Sequence, residues 1–232
     1  MNEIGRRDML QGTALAVGAT LAAGSFVTAA RADTPARYQV KPLPFDPQKI
    51  KGMSEKILVS HYQNNYAGAV KRLNAIAEQL ASLDFAKAPT FTVNGLKREE
   101  LLAANSMILH EVYFAGLGEE SMPGPALAAA IAKDFGSMER WQAEFVATGK
   151  ALGGGSGWAM LTYDPRDRRL INTWAADHTM NLAGGTPILV LDMYEHAYHI
   201  DYGAKAGGYV DAFMKAIRWA NADALYERAA RS

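Results

Sequence analysis

Asp192 and His196 stand four residues apart in the run Leu191-Asp-Met-Tyr-Glu-His-Ala-Tyr198, and both side chains can offer a lone pair to one point. An imidazole nitrogen beside a carboxylate oxygen suits iron, manganese or zinc. Alone, an Asp and a His at this spacing are more often structural than ligating, so a metal reading needs further donors. The chain has five histidines (His61, His110, His178, His196 and His199) and no cysteine. Any metal is therefore held by nitrogen and oxygen. His61 follows Leu58 and Val59, and His110 follows the apolar run Met107 to Leu109. One histidine on an apolar face is usually a core residue with its nitrogens hydrogen-bonded. Two on neighbouring helices, joined by the Asp192 and His196 pair, would close a shell of three nitrogens and one oxygen, and bundle interiors carry such sites.

Two helices must bring His61 and His110 together. From about Ser54 to Leu83, Ile57, Leu58, His61, Ala69, Leu73, Ile76 and Leu80 recur at helical spacing, which predicts one long helix with Gly68 as its candidate break. Pro89 to Asn94 reads as a polar, β-prone link, and Lys97 to Glu100 opens a second helix reaching about Gly116. The pair is expected as an antiparallel hairpin. Gly118 to Pro125 marks a boundary, followed by helices over Ala126 to Phe135 and Ser137 to about Leu152. The glycine-rich stretch 153–157 ends that pattern. Trp158 to Tyr163, Leu170 to Thr173 and Pro187 to Asp192 read as strands, the first two joined by the turn Asp164 to Arg168, and a last helix spans about Tyr209 to Ala229. The expected fold is α+β: an N-terminal antiparallel helical hairpin over 33–120, then a C-terminal α/β domain over 121–232 with a three-stranded antiparallel sheet.

The 232 residues contain 49 % hydrophobic residues, ample for a core, and 24 basic against 24 acidic residues. This balance speaks against nucleic acid or an anionic membrane as partner, and for a small substrate. Residues 1–32 read as a signal peptide. Arg6 and Arg7 precede an uncharged run from Met9 to about Val27, and Ala30-Arg31-Ala32 is a processing site. The paired arginines suggest the twin-arginine route, hence a periplasmic or secreted bacterial protein free of the membrane after cleavage. Cleavage after Ala32 removes Arg6, Arg7 and Arg31 but only Glu3 and Asp8, leaving one net negative charge.

The segment Leu191 to Tyr202 resembles the signature of the iron/manganese superoxide dismutase family, written D-x-W-E-H-A-Y. The resemblance extends to His61-Tyr62 with Ala69 to Asn74, to His110-Glu-Val-Tyr-Phe114, to Phe135-Gly-Ser, to Gly155-Ser-Gly-Trp158 and to Trp219, covering roughly Leu43 to Leu225. It implies a metal held by His61, His110, Asp192 and His196, one iron or manganese ion per subunit, and conversion of superoxide to dioxygen and hydrogen peroxide. It further implies a homodimer in which Glu195 reaches across a two-fold axis to the partner's ligand histidine and Tyr198 lines the mouth of the substrate funnel.

Around that shell the sequence departs from the family. Ala69 stands where a funnel tyrosine is usual, Asn65 where a histidine pairs with the funnel tyrosine, and Tyr194 where the signature has tryptophan. Tyr66, one position beyond Asn65, is a candidate source of a funnel phenol. The glutamine that usually bonds the metal-bound solvent is missing: Ser106 occupies its position on the second ligand helix, and His178 falls at its other position, in the loop after the second strand. His178 is inferred to do its work, and Trp158 is assigned first to packing around the metal and second to function. A small residue at 106 and a bulky one at 178 lean slightly toward manganese. The alternative is a metal-binding protein on the same scaffold with little or no turnover.

Overall fold

The computed structural model describes residues 37–231, so the expected signal peptide and its expected processing site lie outside the described residues. The Ser54 hydroxyl accepts the Ile57 N–H and starts α1 (Glu55–Ser60). Ser54 is itself anchored from far along the chain, donating through its N–H and hydroxyl to Asp201 at 2.7 and 2.6 Å. The helix then widens into a π-helical segment, His61–Tyr66, before α2 (Ala67–Ser82). The irregularity thus falls on the ligand-bearing turn and not at Gly68, whose surroundings are open. A π segment changes the angular phase of the residues it contains relative to the flanking helix, and such segments concentrate at functional sites.

Helix α3 (Thr90–Ala115) begins at Thr90 rather than Lys97. The Pro89 carbonyl accepts the N–H groups of Thr92 and Val93 at 3.0 and 3.2 Å, which draws the β-branched residues of the expected link into the first turn. The two long helices run antiparallel, since Tyr66 bonds Glu111 while Arg72, further along α2, pairs with Glu99, earlier in α3. Leu73, Ile76 and Ala103 are buried between them.

Helices α4 (Pro125–Phe135) and α5 (Met138–Ala151) follow, the second capped by Ser137 accepting the Arg140 N–H. Strands β1 (Trp158–Asp164), β2 (Arg169–Ala175) and β3 (Thr186–Asp192) form an antiparallel sheet in the order β2-β1-β3. Trp158 lies opposite both Ala175 and Asp192 in the central strand. This places the indole and the carboxylate at the same end of the sheet, against which α3 packs.

One C-terminal expectation needs correction. The signature segment leaves β3 and turns helical as α6 (Glu195–Tyr202). The single last helix is two, α7 (Ala206–Lys215) and α8 (Trp219–Arg231). Between them the Ala216 carbonyl accepts from Gly118 and the Arg218 N–H donates to Gly116, at 2.9 and 2.8 Å. Groups that a continuous helix would use internally are bonded to the segment after α3, so the helix stops. The buried aromatics Trp141, Phe145, Tyr209 and Phe213 fill the core between these helices and the sheet. Among the described residues no helix is long and apolar enough to cross a membrane.

Candidate metal centre

Asp192 closes β3 and has no exposed surface. Its Oδ1 accepts the N–H of Tyr194 at 2.8 Å, which aims Oδ2 inward. There Oδ2 lies 3.0 Å from His61 Nε2, 3.2 Å from His196 Nε2 and 3.5 Å from His110 Nε2. The four donor atoms all fall within 4.8 Å of one another. His61 comes from the π-helical segment, His110 from the C-terminal half of α3 and His196 from the first turn of α6.

His110 shows what this cluster is built for. Its Nδ1–H donates to the Ser106 carbonyl at 2.6 Å, one helical turn back, so the neutral ring presents a bare Nε2 lone pair. That buried Nε2 has no hydrogen-bond partner. A lone pair left unpaired in a dry core is costly unless another electrophile fills the gap, and a metal ion does so. Three imidazoles and one carboxylate also match the donor preferences of iron and manganese.

Burial pushes the Asp192 carboxyl up, but the His196 and His61 imidazoles around it reverse that and hold it below the ordinary carboxylate range. Burial pushes His110 down to about 3, aided by neighbouring His61, and it lowers His61 against the opposing pull of Asp192. The site is thus set for neutral imidazoles at His61 and His110 and an anion at Asp192, the protonation state a metal requires. The pH dependence has a definite sign. A histidine whose folded pKa is depressed takes up its proton more readily when unfolded, so its contribution is complete above the ordinary value of 6.5 and is lost as pH falls below it. Metal-free protein is expected to show a melting temperature that is flat above pH 7 and falls steadily between pH 6.5 and 4 by calorimetry. A melting temperature that rises on acidification would contradict this arrangement.

Aromatic side chains wall the cluster. His61 touches Tyr113 and Phe114, both at 5.0 Å between ring centroids. The Tyr113 hydroxyl meets that of Tyr209 at 3.1 Å, and burial raises both phenols above their usual range. On the other side Trp158, fully buried, stands edge-on to His110 at 5.2 Å and donates its indole N–H to His178 Nδ1 at 3.0 Å. Indole nitrogen only donates, so His178 Nδ1 is unprotonated and the neutral ring carries its proton on Nε2. Burial lowers the His178 pKa, in keeping with that neutral form. Tyr194, its phenol pushed up to about 12 by burial and by the Asp192 charge, lies flat against both His178 and His196.

Other expected site residues have partners of their own, Tyr66 also lying 6.5 Å from His110 between ring centroids. The Tyr66 hydroxyl donates to Glu111 at 3.1 Å and accepts the Lys41 N–H at 2.9 Å, so this phenol secures the N-terminal lead-in to α3. Tyr198 is 2 % exposed and its ring stacks on Tyr209 at 5.6 Å. The reason is the helical turn of α6: Ala197 and Tyr198 face inward, while Glu195, His199 and Ile200 are exposed. Asn65 is half-buried in the π-helical segment. Sequence reasoning missed the Ser106 carbonyl, for which no side-chain signal exists, and Tyr209, whose bond to Tyr113 spans 96 positions.

The model of the family "Iron/manganese superoxide dismutases, C-terminal domain" matches residues 123–225. A relative named Superoxide dismutase [Fe], from Cupriavidus metallidurans, is 65 % identical over 194 residues, 84 % of this chain and 98 % of its own. Superoxide dismutase [Mn] 2 of Haloferax volcanii is 36 % identical over 197 residues, 83 % of this chain and 96 % of its own. Superoxide dismutase [Fe] of Aquifex pyrophilus is 35 % identical over 194 residues, 80 % of this chain and 90 % of its own. With its four donors gathered at one point and its length shared with these proteins, the chain belongs to the iron/manganese superoxide dismutase family.

Proposed function

We propose that the chain dismutates superoxide at one iron ion held by His61, His110, Asp192 and His196, as a dimer exported by the twin-arginine route. The observation that carries the activity is the convergence of three Nε2 atoms on one Asp192 oxygen, with His110 Nε2 lacking any protein partner. When bound, the ion supplies a one-electron couple by which one superoxide becomes dioxygen and a second, with two protons, becomes hydrogen peroxide. The protein contributes one negative charge and three neutral donors, so a di- or trivalent site stays cationic and attracts an anion. Of the four ligand side chains His196 is the most open, at 26 % exposed against 0–1 % for the others, which marks the side of approach.

Iron is favoured by the 65 % identical relative, which is named for it. The lean toward manganese drawn from positions 106 and 178 finds no support there. The test is reconstitution of the metal-stripped protein with each ion separately. Superoxide consumption per bound iron is expected to exceed that per bound manganese, and the reverse order would overturn the iron reading.

His178, its ring centroid 6.3 Å from that of His110 and its proton on Nε2, is read as taking the place of the usual glutamine amide. His178→Ala is expected to keep its metal and lose about 10–100-fold in kcat/KM, the range typical for partners one layer beyond the ligands. Pulse radiolysis with metal analysis reads both quantities. The exposed row Glu195, His199 and Ile200 on α6 is the surface offered to a second subunit, and sedimentation of Glu195→Ala against the parent checks it. Export rests on Arg6, Arg7 and Ala30 to Ala32, and cell fractionation of an Arg6→Lys, Arg7→Lys double variant tests it.

A further inference from the structure

We infer that Tyr194 is a positioning residue for His178, holding the imidazole flat so that its one proton faces the open side of the metal centre. This rests on the reading of His178 as the donor there. The phenol ring lies between two imidazoles, 4.8 Å and 12° from His178 and 5.3 Å and 16° from His196. Three nearly parallel rings thus link the candidate donor to a metal ligand. Trp158 closes the fourth side, edge-on to Tyr194 at 5.9 Å, with its N–H on His178 Nδ1. The Asn105 amide holds the His178 backbone carbonyl at 2.6 Å.

These contacts divide the task. Asn105 fixes where the loop runs, Trp158 selects the tautomer, and the Tyr194 face removes the remaining freedom, rotation of the ring out of its plane. A tilted His178 would take Nδ1 off the indole, leaving a buried N–H without an acceptor, so plane and tautomer are coupled. Backbone and side chain of Tyr194 also act on one centre: its N–H orients the Asp192 carboxylate while its ring orients His178. Side-chain substitutions leave the first interaction in place, which separates positioning from metal retention. Position 178 departs from the usual glutamine and 194 from the signature tryptophan, and here the two departures lie face to face.

The test compares Tyr194→Phe and Tyr194→Leu in the iron-loaded full-length protein. Phe keeps the flat face, and Leu removes it at similar bulk. With Leu, metal content is expected to stay at the parent level. The Trp158 Nε1 to His178 Nδ1 distance should lengthen beyond hydrogen-bond range in a crystal structure, and azide affinity for the ferric protein should change about tenfold, as for other partners one layer beyond the ligands. The kcat/KM–pH profile should shift with it, and Phe, which loses only the phenol oxygen that accepts from the His178 backbone, should keep the Trp158–His178 bond and stay closer to the parent than Leu in every readout. His178→Ala combined with Tyr194→Leu should give no further change in azide affinity beyond His178→Ala alone. An intact Trp158–His178 bond in Tyr194→Leu would overturn the inference, as would fully additive effects in the double variant. If His178→Ala itself leaves azide affinity and kcat/KM unchanged, His178 is not the donor and that reading fails, while the crystallographic distance still decides whether Tyr194 holds the ring.

Discussion

Asp192→Asn is expected to bind less than about one-tenth of the parent's metal and to lose superoxide turnover by at least about 100-fold, beyond the usual loss for an outer partner. Asp192 supplies the only carboxylate in the cluster, and its Oδ2 is the atom on which the three imidazoles converge. An amide of the same shape keeps an oxygen but loses the charge, so the ion would face four neutral donors in a buried site. Elemental analysis and superoxide consumption on one preparation measure both effects. Metal retained at the parent level would remove Asp192 from the ligand set.

Gly157→Ala is expected to destabilise the protein by about 3–5 kcal/mol, combining backbone strain with overpacking. Gly157 has φ of 139°, a conformation that L side chains rarely adopt, and an added Cβ would sit 2.0 Å from the Ala175 carbonyl oxygen. The same residue accepts the Met193 N–H at 2.8 Å, between the ligand Asp192 and Tyr194. The loss should therefore appear in metal affinity as well as in the chemical denaturation midpoint. A variant with unchanged midpoint and unchanged metal content would show that the start of β1 can shift without disturbing the site.

The four donors were legible because their chemistry is local and their neighbours are specific: His61 and His110 in apolar helical runs, Asp192 and His196 in one short signature. The strands were legible too, β1 and β3 as buried runs and β2, mostly half-buried, from the Asp164 to Arg168 turn that precedes it. What escaped depends on contacts between distant segments. Nothing near Ile217 announces that its neighbours bond to Gly116 and Gly118, so the last two helices looked like one. The Thr90 to Val93 run has strand-like composition, and only its place behind the Pro89 carbonyl makes it helical. The helical turn of α6, which brings Glu195 and His199 to one exposed face and turns Tyr198 inward, is likewise set by its packing and not by its composition. The partners of Tyr66, Lys41 and Glu111, lie 25 and 45 positions away and leave no local trace.

The most direct test of the central claim is superoxide consumption by the full-length protein purified without chelator, with iron and manganese determined on the same sample. A metal dismutase with His61, His110, Asp192 and His196 as ligands requires a rate proportional to bound iron plus manganese, abolished by metal removal and restored on reloading. A fully loaded protein that consumes superoxide no faster than its metal-stripped form would contradict the claim and leave a metal-binding protein on a dismutase fold.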